Sequence, residues 1–178
     1  MQMAANFDVQ SIVATEMIHG GALKWLDRNV QINREAGNAM PRLSTAPLDW
    51  NWVAHAENEG SIKQHESDRR ILYSVPFQLV LGSDLVYGEM GVRTLPRVIR
   101  ELLRAGAEGA YALYAHTLNR FEFVDVDFFR ALRFVGLTCS PVWPQSEEAV
   151  DREEAYSDEL FPEQRVVVYR ISLKSSNE

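Results

Sequence analysis

An apolar run without polar alternation marks the middle of the chain, at residues 79–81, Leu-Val-Leu. A strand that is apolar on both sides is usually covered on both faces, as in a parallel sheet. The run ends at Gly82 and the polar residues that follow it. Ligands bind at the carboxyl ends of strands in open α/β sheets, so Ser83, Asp84 and Tyr87 are predicted to border a site.

The clearest helical periodicity covers residues 91–104. Its apolar residues recur at i, i+3, i+4, i+7 and i+8, and they are Leu95, Val98, Ile99, Leu102 and Leu103. This spacing places them on one face of a helix. Pro96 is expected in the first turn, where proline is tolerated, and Gly106 is expected to stop the helix.

Strands and helices alternate along the rest of the sequence. Further strands are predicted at residues 11–15, 42–50, 110–116, 137–142 and 165–173. Further helices are predicted from the region of Leu23 to Gly37, and from an Asp125 or Asp127 cap to Gly136. Such alternation indicates an α/β fold with a mostly parallel sheet and helices on both faces. No helix separates the last two strands, so they should pair antiparallel.

Length and charge narrow the class of protein. The chain has 178 residues, enough for one domain with a full core, and we expect residues 1–178 to form a single domain. A formal charge of −7 argues against nonspecific nucleic-acid binding through the whole surface. The sequence holds one cysteine, Cys139, and neither a membrane-length apolar run nor a signal pattern. We therefore expect a cytoplasmic protein, with the nucleus as a second compartment, that has no membrane or nucleic-acid partner.

The histidines show no ligand spacing, so no metal is predicted.

Three short motifs stand at the ends of predicted strands. They are Thr15-Glu16 at the end of the first, Asp49-Trp50 at the end of the second, and Asp84-Leu85-Val86-Tyr87 after the third. In this order, and with the final strand pair, the chain resembles the seven-stranded S-adenosylmethionine-dependent methyltransferases over roughly residues 8–173. More narrowly it is similar to the protein-lysine methyltransferase group called methyltransferase family 16, which carries an Asp-x-x-Tyr motif after its fourth strand.

The resemblance implies a cofactor, S-adenosylmethionine, and residues that bind it. Glu16 would accept hydrogen bonds from the ribose hydroxyls, since a carboxylate accepts two at once. Asp49 would accept from the adenine amino group, with Trp50 packed nearby. Ser83 would form part of the wall. The alternatives are a surface acid at Glu16 and an Asx turn at Asp49.

The resemblance also implies a catalytic pair, Asp84 and Tyr87, which would position a substrate lysine of a protein near the methyl donor. Methyl transfer needs a neutral, correctly oriented amine. The alternative is that Asp84 caps the following helix and Tyr87 packs against it. His116 also ends a strand at this edge, where a histidine is more often structural than functional.

The sequence departs from the resembled family at its beginning. That family starts with a strand and a glycine-rich turn that wraps the methionine end of the cofactor, whereas Gly20-Gly21 here follows the strand at 11–15. The first strand and its turn are therefore expected to be missing, as in a truncated form. The strands at 11–15 and 77–81 would then lose a shared neighbour and expose two edges, which favours self-association.

Two alternatives to the lysine methyltransferase remain. One is a non-catalytic, methyltransferase-like module that binds or regulates. The other is a dinucleotide-dependent oxidoreductase, because an acid after the second strand also suits a nicotinamide ribose. The Asp-x-x-Tyr motif and the final strand pair count against the oxidoreductase. An acidic segment at 146–164 is expected either to steer a basic protein substrate or to be an unstructured insert.

Overall fold

A computed structural model describes residues 8–17, 19–37, 42–51, 76–118, 120, 124–143 and 165–174. Three predictions lie outside these residues: the start of the chain, most of the 51–70 connection, and the acidic segment 146–164. The chain forms two compact units, Met1–Ser74 and Val75–Glu178. Among the described residues, no helix is both long and apolar enough to cross a membrane.

The first unit is built on two parallel strands joined through a helix. Strand β1 spans Ile12–Glu16, helix α1 spans Ala22–Glu35, and strand β2 spans Leu43–Pro47. The strands pair in parallel register, with Ile12 opposite Leu43 and Glu16 opposite Pro47. Val30 of α1 and Leu43 are buried together, and Ile12 and Ala14 pack against them. Helix α1 therefore packs on the ladder through its apolar stripe, as its spacing predicts.

The second unit contains a four-stranded mixed sheet. Its elements are β3 (Leu79–Ser83), α2 (Glu89–Ala105), β4 (Tyr111–Leu118), α3 (Val124–Phe134), β5 (Leu137–Trp143) and β6 (Arg165–Leu173). The strand order is β3-β4-β6-β5. Strands β3 and β4 are parallel, whereas β6 runs antiparallel to both β4 and β5. The predicted antiparallel pairing of the last two strands is confirmed.

Helix α3 packs on one face of this sheet. The ring of Phe128 in α3 lies 5.4 Å from the ring of Tyr114 in β4, and Phe128 and Leu132 are wholly buried. Alternate residues of β4 are buried on this face and half-buried on the other. Leu81 of β3 is 51 % exposed, so the prediction that its run is covered on both faces is wrong within the described structure.

Helices α2 and α3 both begin earlier in the chain than predicted. Helix α2 begins at Glu89, so Pro96 lies inside it and not in the first turn. Pro96 has no N–H to donate to the carbonyl of Val92, and burial of its ring offsets that loss. Gly106 follows the last helical residue, as predicted. Helix α3 begins before Asp125 and Asp127, which both lie in its first turn and do not cap it.

Candidate functional site

Parallel pairing brings two of the predicted cofactor residues to the same end of the β1–β2 ladder. Glu16 is the last residue of β1 and lies opposite Pro47. The backbone N–H of Leu48 donates to the carbonyl of Glu16 at 2.9 Å, which extends the ladder past the end of β2. Asp49 is the next residue. Both carboxylates therefore stand at the carboxyl-terminal edge of the first unit.

The two carboxylates differ in exposure, and each accepts a backbone hydrogen bond. Glu16 is exposed, and its Oε2 accepts from the N–H of Met17 at 3.1 Å. Asp49 is half-buried, and its Oδ1 accepts from the N–H of Asn51 at 2.8 Å. That contact is the Asx turn that the sequence offered as an alternative. Trp50, which directly follows Asp49, is half-buried.

In the second unit, Asp84 joins the ends of β3 and β4. Its N–H donates to the carbonyl of Ala115 at 2.9 Å. Its Oδ1 accepts from the N–H of Thr117, and its Oδ2 accepts from the Thr117 hydroxyl, both at 2.8 Å. Arg120 Nη1 lies 3.1 Å from the same Oδ2. The backbone of Asp84 is left-handed, with φ of 47°, a conformation that aspartate tolerates better than most residues.

A buried tyrosine supports the loop that follows, residues 84–88. The hydroxyl of Tyr114 accepts from the N–H of Leu85 at 3.0 Å. Burial raises the pKa of Tyr114 to about 12, so this hydroxyl stays protonated at neutral pH. Gly82 allows the close packing, because a Cβ there would lie 3.0 Å from Leu85 Cδ1 and 3.1 Å from Tyr114 Cδ2.

Tyr87 lies at the surface of the 84–88 loop, with 62 % of its area exposed. The Cζ atom of Arg120 is 5.6 Å from the centre of its ring, within the range of a cation–π contact. The same guanidinium thus contacts both residues of the Asp-x-x-Tyr motif. Ser83 ends β3 as an exposed residue opposite Ala115.

Sequence reasoning missed Thr117 and Arg120. A signal for them existed, since parallel β3 and β4 were expected to end at the same edge of the sheet. Polar residues directly after the apolar part of β4 were therefore candidates for contact with Asp84.

His116 is a core residue and does not open onto this edge. It is 3 % exposed, and its Nε2 lies 2.9 Å from Asp125 Oδ1. Its ring is 5.7 Å from the rings of both Phe128 and Phe129. The structural role that the sequence favoured is confirmed. Burial also raises the pKa of Cys139, to about 11, which agrees with an inert thiol.

The Asp84 carboxylate already accepts from three donors, whereas a carboxylate offers about four acceptor positions. One position on Oδ1 is therefore left for a further donor, and the exposed phenol of Tyr87 stands beside the same guanidinium. In the described ranges, no three histidine, cysteine or acidic side chains cluster as metal ligands would.

Comparison with known proteins gives a fold and no family. Neither the scan against protein-family models nor the search of curated proteins produced a match. The chain is similar to the solved structure of the [4+2]-cyclase SpnF, with a TM-score of 0.53 and 12 % sequence identity. The match covers 98 % of this chain and 70 % of SpnF. SpnF has an S-adenosylmethionine methyltransferase-like fold, so the fold of this mixed α/β chain is methyltransferase-like.

Proposed function

We propose that this chain is an S-adenosylmethionine-dependent methyltransferase whose acceptor is a lysine side chain of a protein. The observation that carries the proposal is the pair Glu16 and Asp49 at the carboxyl-terminal edge of two parallel strands, in a methyltransferase-like fold. Carboxylates at such an edge are well suited to hold the hydroxyl and amino groups of a nucleoside.

The residues present fit the nucleoside end of this cofactor. Exposed Glu16 has acceptor positions for two ribose hydroxyls beyond its contact with Met17. Asp49 uses one oxygen in its turn and keeps the other for an amino group. The cofactor itself would supply a methyl group on a sulfonium. No counterpart of the glycine-rich turn was found in the sequence, so only the nucleoside end is assigned to residues.

The Asp84–Arg120–Tyr87 group would act on the acceptor. A lysine amine must be neutral to attack the methyl group, and a nearby positive charge disfavours its protonated form. Arg120 provides such a charge beside the exposed Tyr87. The Tyr87 hydroxyl and the remaining acceptor position of Asp84 would orient the amine. Asp84 would also anchor the 84–88 loop that presents Tyr87.

Transfer of a labelled methyl group tests the proposal. The chain is incubated with methyl-tritiated S-adenosylmethionine and a protein extract, and the labelled proteins are hydrolysed to identify the modified residue. We expect methyl-lysine, with at least about tenfold less label for Glu16→Gln or Tyr87→Phe. Asp127→Asn, an exposed acid of α3, serves as the matched control and should retain full transfer. Label on another residue type would contradict the lysine assignment.

A second candidate is a non-catalytic, methyltransferase-like module. The observation that favours it is that the Asp84 carboxylate already accepts hydrogen bonds from Thr117 and forms an ion pair with Arg120. Under this candidate the motif is purely structural. Tyr87→Phe would then leave every property unchanged, and no label would be transferred by the unmodified chain.

We further propose a cytoplasmic location and self-association. Among the described residues, β1 pairs only with β2 and β3 only with β4, which leaves one ladder edge on each for another strand. Light scattering should therefore give a mass above that of one chain, and a monomer at high concentration would count against self-association.

A further inference from the structure

A groove of about 580 Å³ lies at the other end of the second unit's sheet, away from Asp84. It is lined by the turn 106–110, by Leu103 and Arg104 of α2, and, at and just after the end of β6, by Arg170, Ser172, Leu173 and Lys174. Strand β4 starts at this end and reaches Thr117 at the other. At about 3.3 Å per residue, the two ends of β4 are roughly 20 Å apart.

The turn that forms one wall of the groove is held by backbone hydrogen bonds. The N–H of Ala107 donates to the carbonyl of Phe77 at 2.9 Å, and the N–H of Ala110 donates to the carbonyl of Ala107 at 3.0 Å. Gly106 is closely packed, since a Cβ there would lie 2.8 Å from the Phe77 carbonyl oxygen. This wall of the groove is therefore preformed, which lowers the entropic cost of binding a ligand.

The charged side chains of the groove are mostly cationic. Arg104, Arg170 and Lys174 face one acid, Glu108, although the whole chain carries a formal charge of −7. The guanidinium of Arg170 lies 4.2 Å from the ring centre of Tyr111, which restricts its motion. The nearest approach between Arg104 and Glu101 is 3.8 Å, too long for a hydrogen bond, so that pair does not occupy the arginine fork.

We infer that this groove binds a small organic anion that carries a phosphate or two carboxylates. Two arginines suit this chemistry because each guanidinium offers paired donors to anionic oxygens. The volume lies within the range of about 300–1,000 Å³ that is usual for small-molecule sites. Leu103 and Leu173 add an apolar wall for the carbon skeleton of the ligand.

Titration calorimetry of the full chain tests this at about 0.15 M salt, where long-range attraction is screened. The probes are glucose 6-phosphate and the dicarboxylate succinate, with glucose as the neutral control. We expect one of the two anions to bind with a Kd below about 1 mM, and glucose to give no heat. The anion that binds shows whether the groove recognises a phosphate or a pair of carboxylates.

Variants then locate the binding. Lys174→Gln and Arg170→Gln should each weaken it about fivefold or more, which corresponds to the loss of one charge-assisted contact. Lys174 is exposed at the end of β6, so its substitution should leave the fold intact. Arg130→Gln, an exposed arginine of α3, is the control and should bind like the unmodified chain. Absence of binding for both anions, or an equal loss in the control, would overturn the inference.

Discussion

The carboxylate of Asp84 accepts hydrogen bonds from both the backbone N–H and the hydroxyl of Thr117, each at 2.8 Å. These contacts join the carboxyl ends of two parallel strands and hold the first residue of the 84–88 loop in a left-handed conformation. The loop that presents Tyr87 is therefore anchored at its start by a charged group.

Removing this anchor should destabilise the second unit. Thr117→Val deletes the hydroxyl that donates to Asp84 Oδ2. Among the described residues, Arg120 is then the remaining donor to that oxygen. We expect a loss of about 1–3 kcal/mol in the free energy of unfolding, measured in urea. Thr117→Ser keeps the hydroxyl and should lose less than about half of that. Equal stabilities for the valine and serine variants would contradict the anchoring role.

Gly82 provides a second test of how the loop is supported. Gly82→Ala forces a Cβ against Tyr114 and Leu85 at 3.0–3.1 Å, and such overpacking costs about 1–3 kcal/mol. Gly88→Ala is the matched control, because Gly88 has extended backbone and nothing within 4 Å of its added Cβ. Thermal unfolding should separate the two variants. A Gly82→Ala protein as stable as Gly88→Ala would show that the loop is not packed in this way.

Alkaline pH should destabilise the fold through Tyr114. Its pKa is raised to about 12 by burial, whereas an unfolded tyrosine titrates near pH 10. Below about pH 10 Tyr114 is protonated in both the folded and the unfolded state, so its full contribution to the free energy of unfolding is present. It falls as pH rises from about 10 to 12, because the unfolded state releases its proton first, and the loss reaches about 2 kcal/mol.

The variant Tyr114→Phe isolates this effect. At neutral pH it should be about 1 kcal/mol less stable, since the N–H of Leu85 loses its acceptor. Between pH 10 and 12 its stability should fall less steeply than that of the unmodified chain, in urea titrations at several pH values. If the free energies of unfolding of the two proteins fell equally with pH, the burial of the Tyr114 hydroxyl would be contradicted.

Arg120 should control the pH dependence of methyl transfer if the proposed function is correct. Arg120→Gln removes the positive charge beside Tyr87 and leaves Asp84 less neutralised. Both changes favour the protonated form of an incoming lysine, so the acidic limb of the pH–rate profile should move up by about one pH unit. Arg130→Gln is the control for surface charge. A profile that does not move would remove Arg120 from the acceptor site.

Local periodicity was enough to predict most of the elements. The apolar stripe of α2 and the strand at Arg165–Leu173 follow directly from it. The antiparallel pairing of β5 with β6 was predicted because no helix was expected between them. The motifs at Glu16 and Asp49 were assigned to the ends of two predicted strands, and the register of β1 and β2 brings these ends to one edge.

Local periodicity alone does not predict the contacts around Asp84, because they join residues 33 and 36 positions apart. The shared end of parallel β3 and β4 was the signal available for them. Their partners, Thr117 and Arg120, belong to no local pattern. The exposure of Leu81 was missed for a related reason: an apolar run does not reveal which sheet face its neighbouring helices cover.

Titration calorimetry with S-adenosylhomocysteine is the most direct test of the proposed cofactor site. We predict a Kd in the micromolar range for the unmodified chain, which corresponds to a binding free energy of about −8 kcal/mol. Glu16→Gln should weaken binding by about tenfold or more, while Asp127→Asn should not change it. Absence of measurable heat from the folded chain, or equal affinity for the Glu16→Gln variant, would contradict a nucleoside site at the ends of β1 and β2.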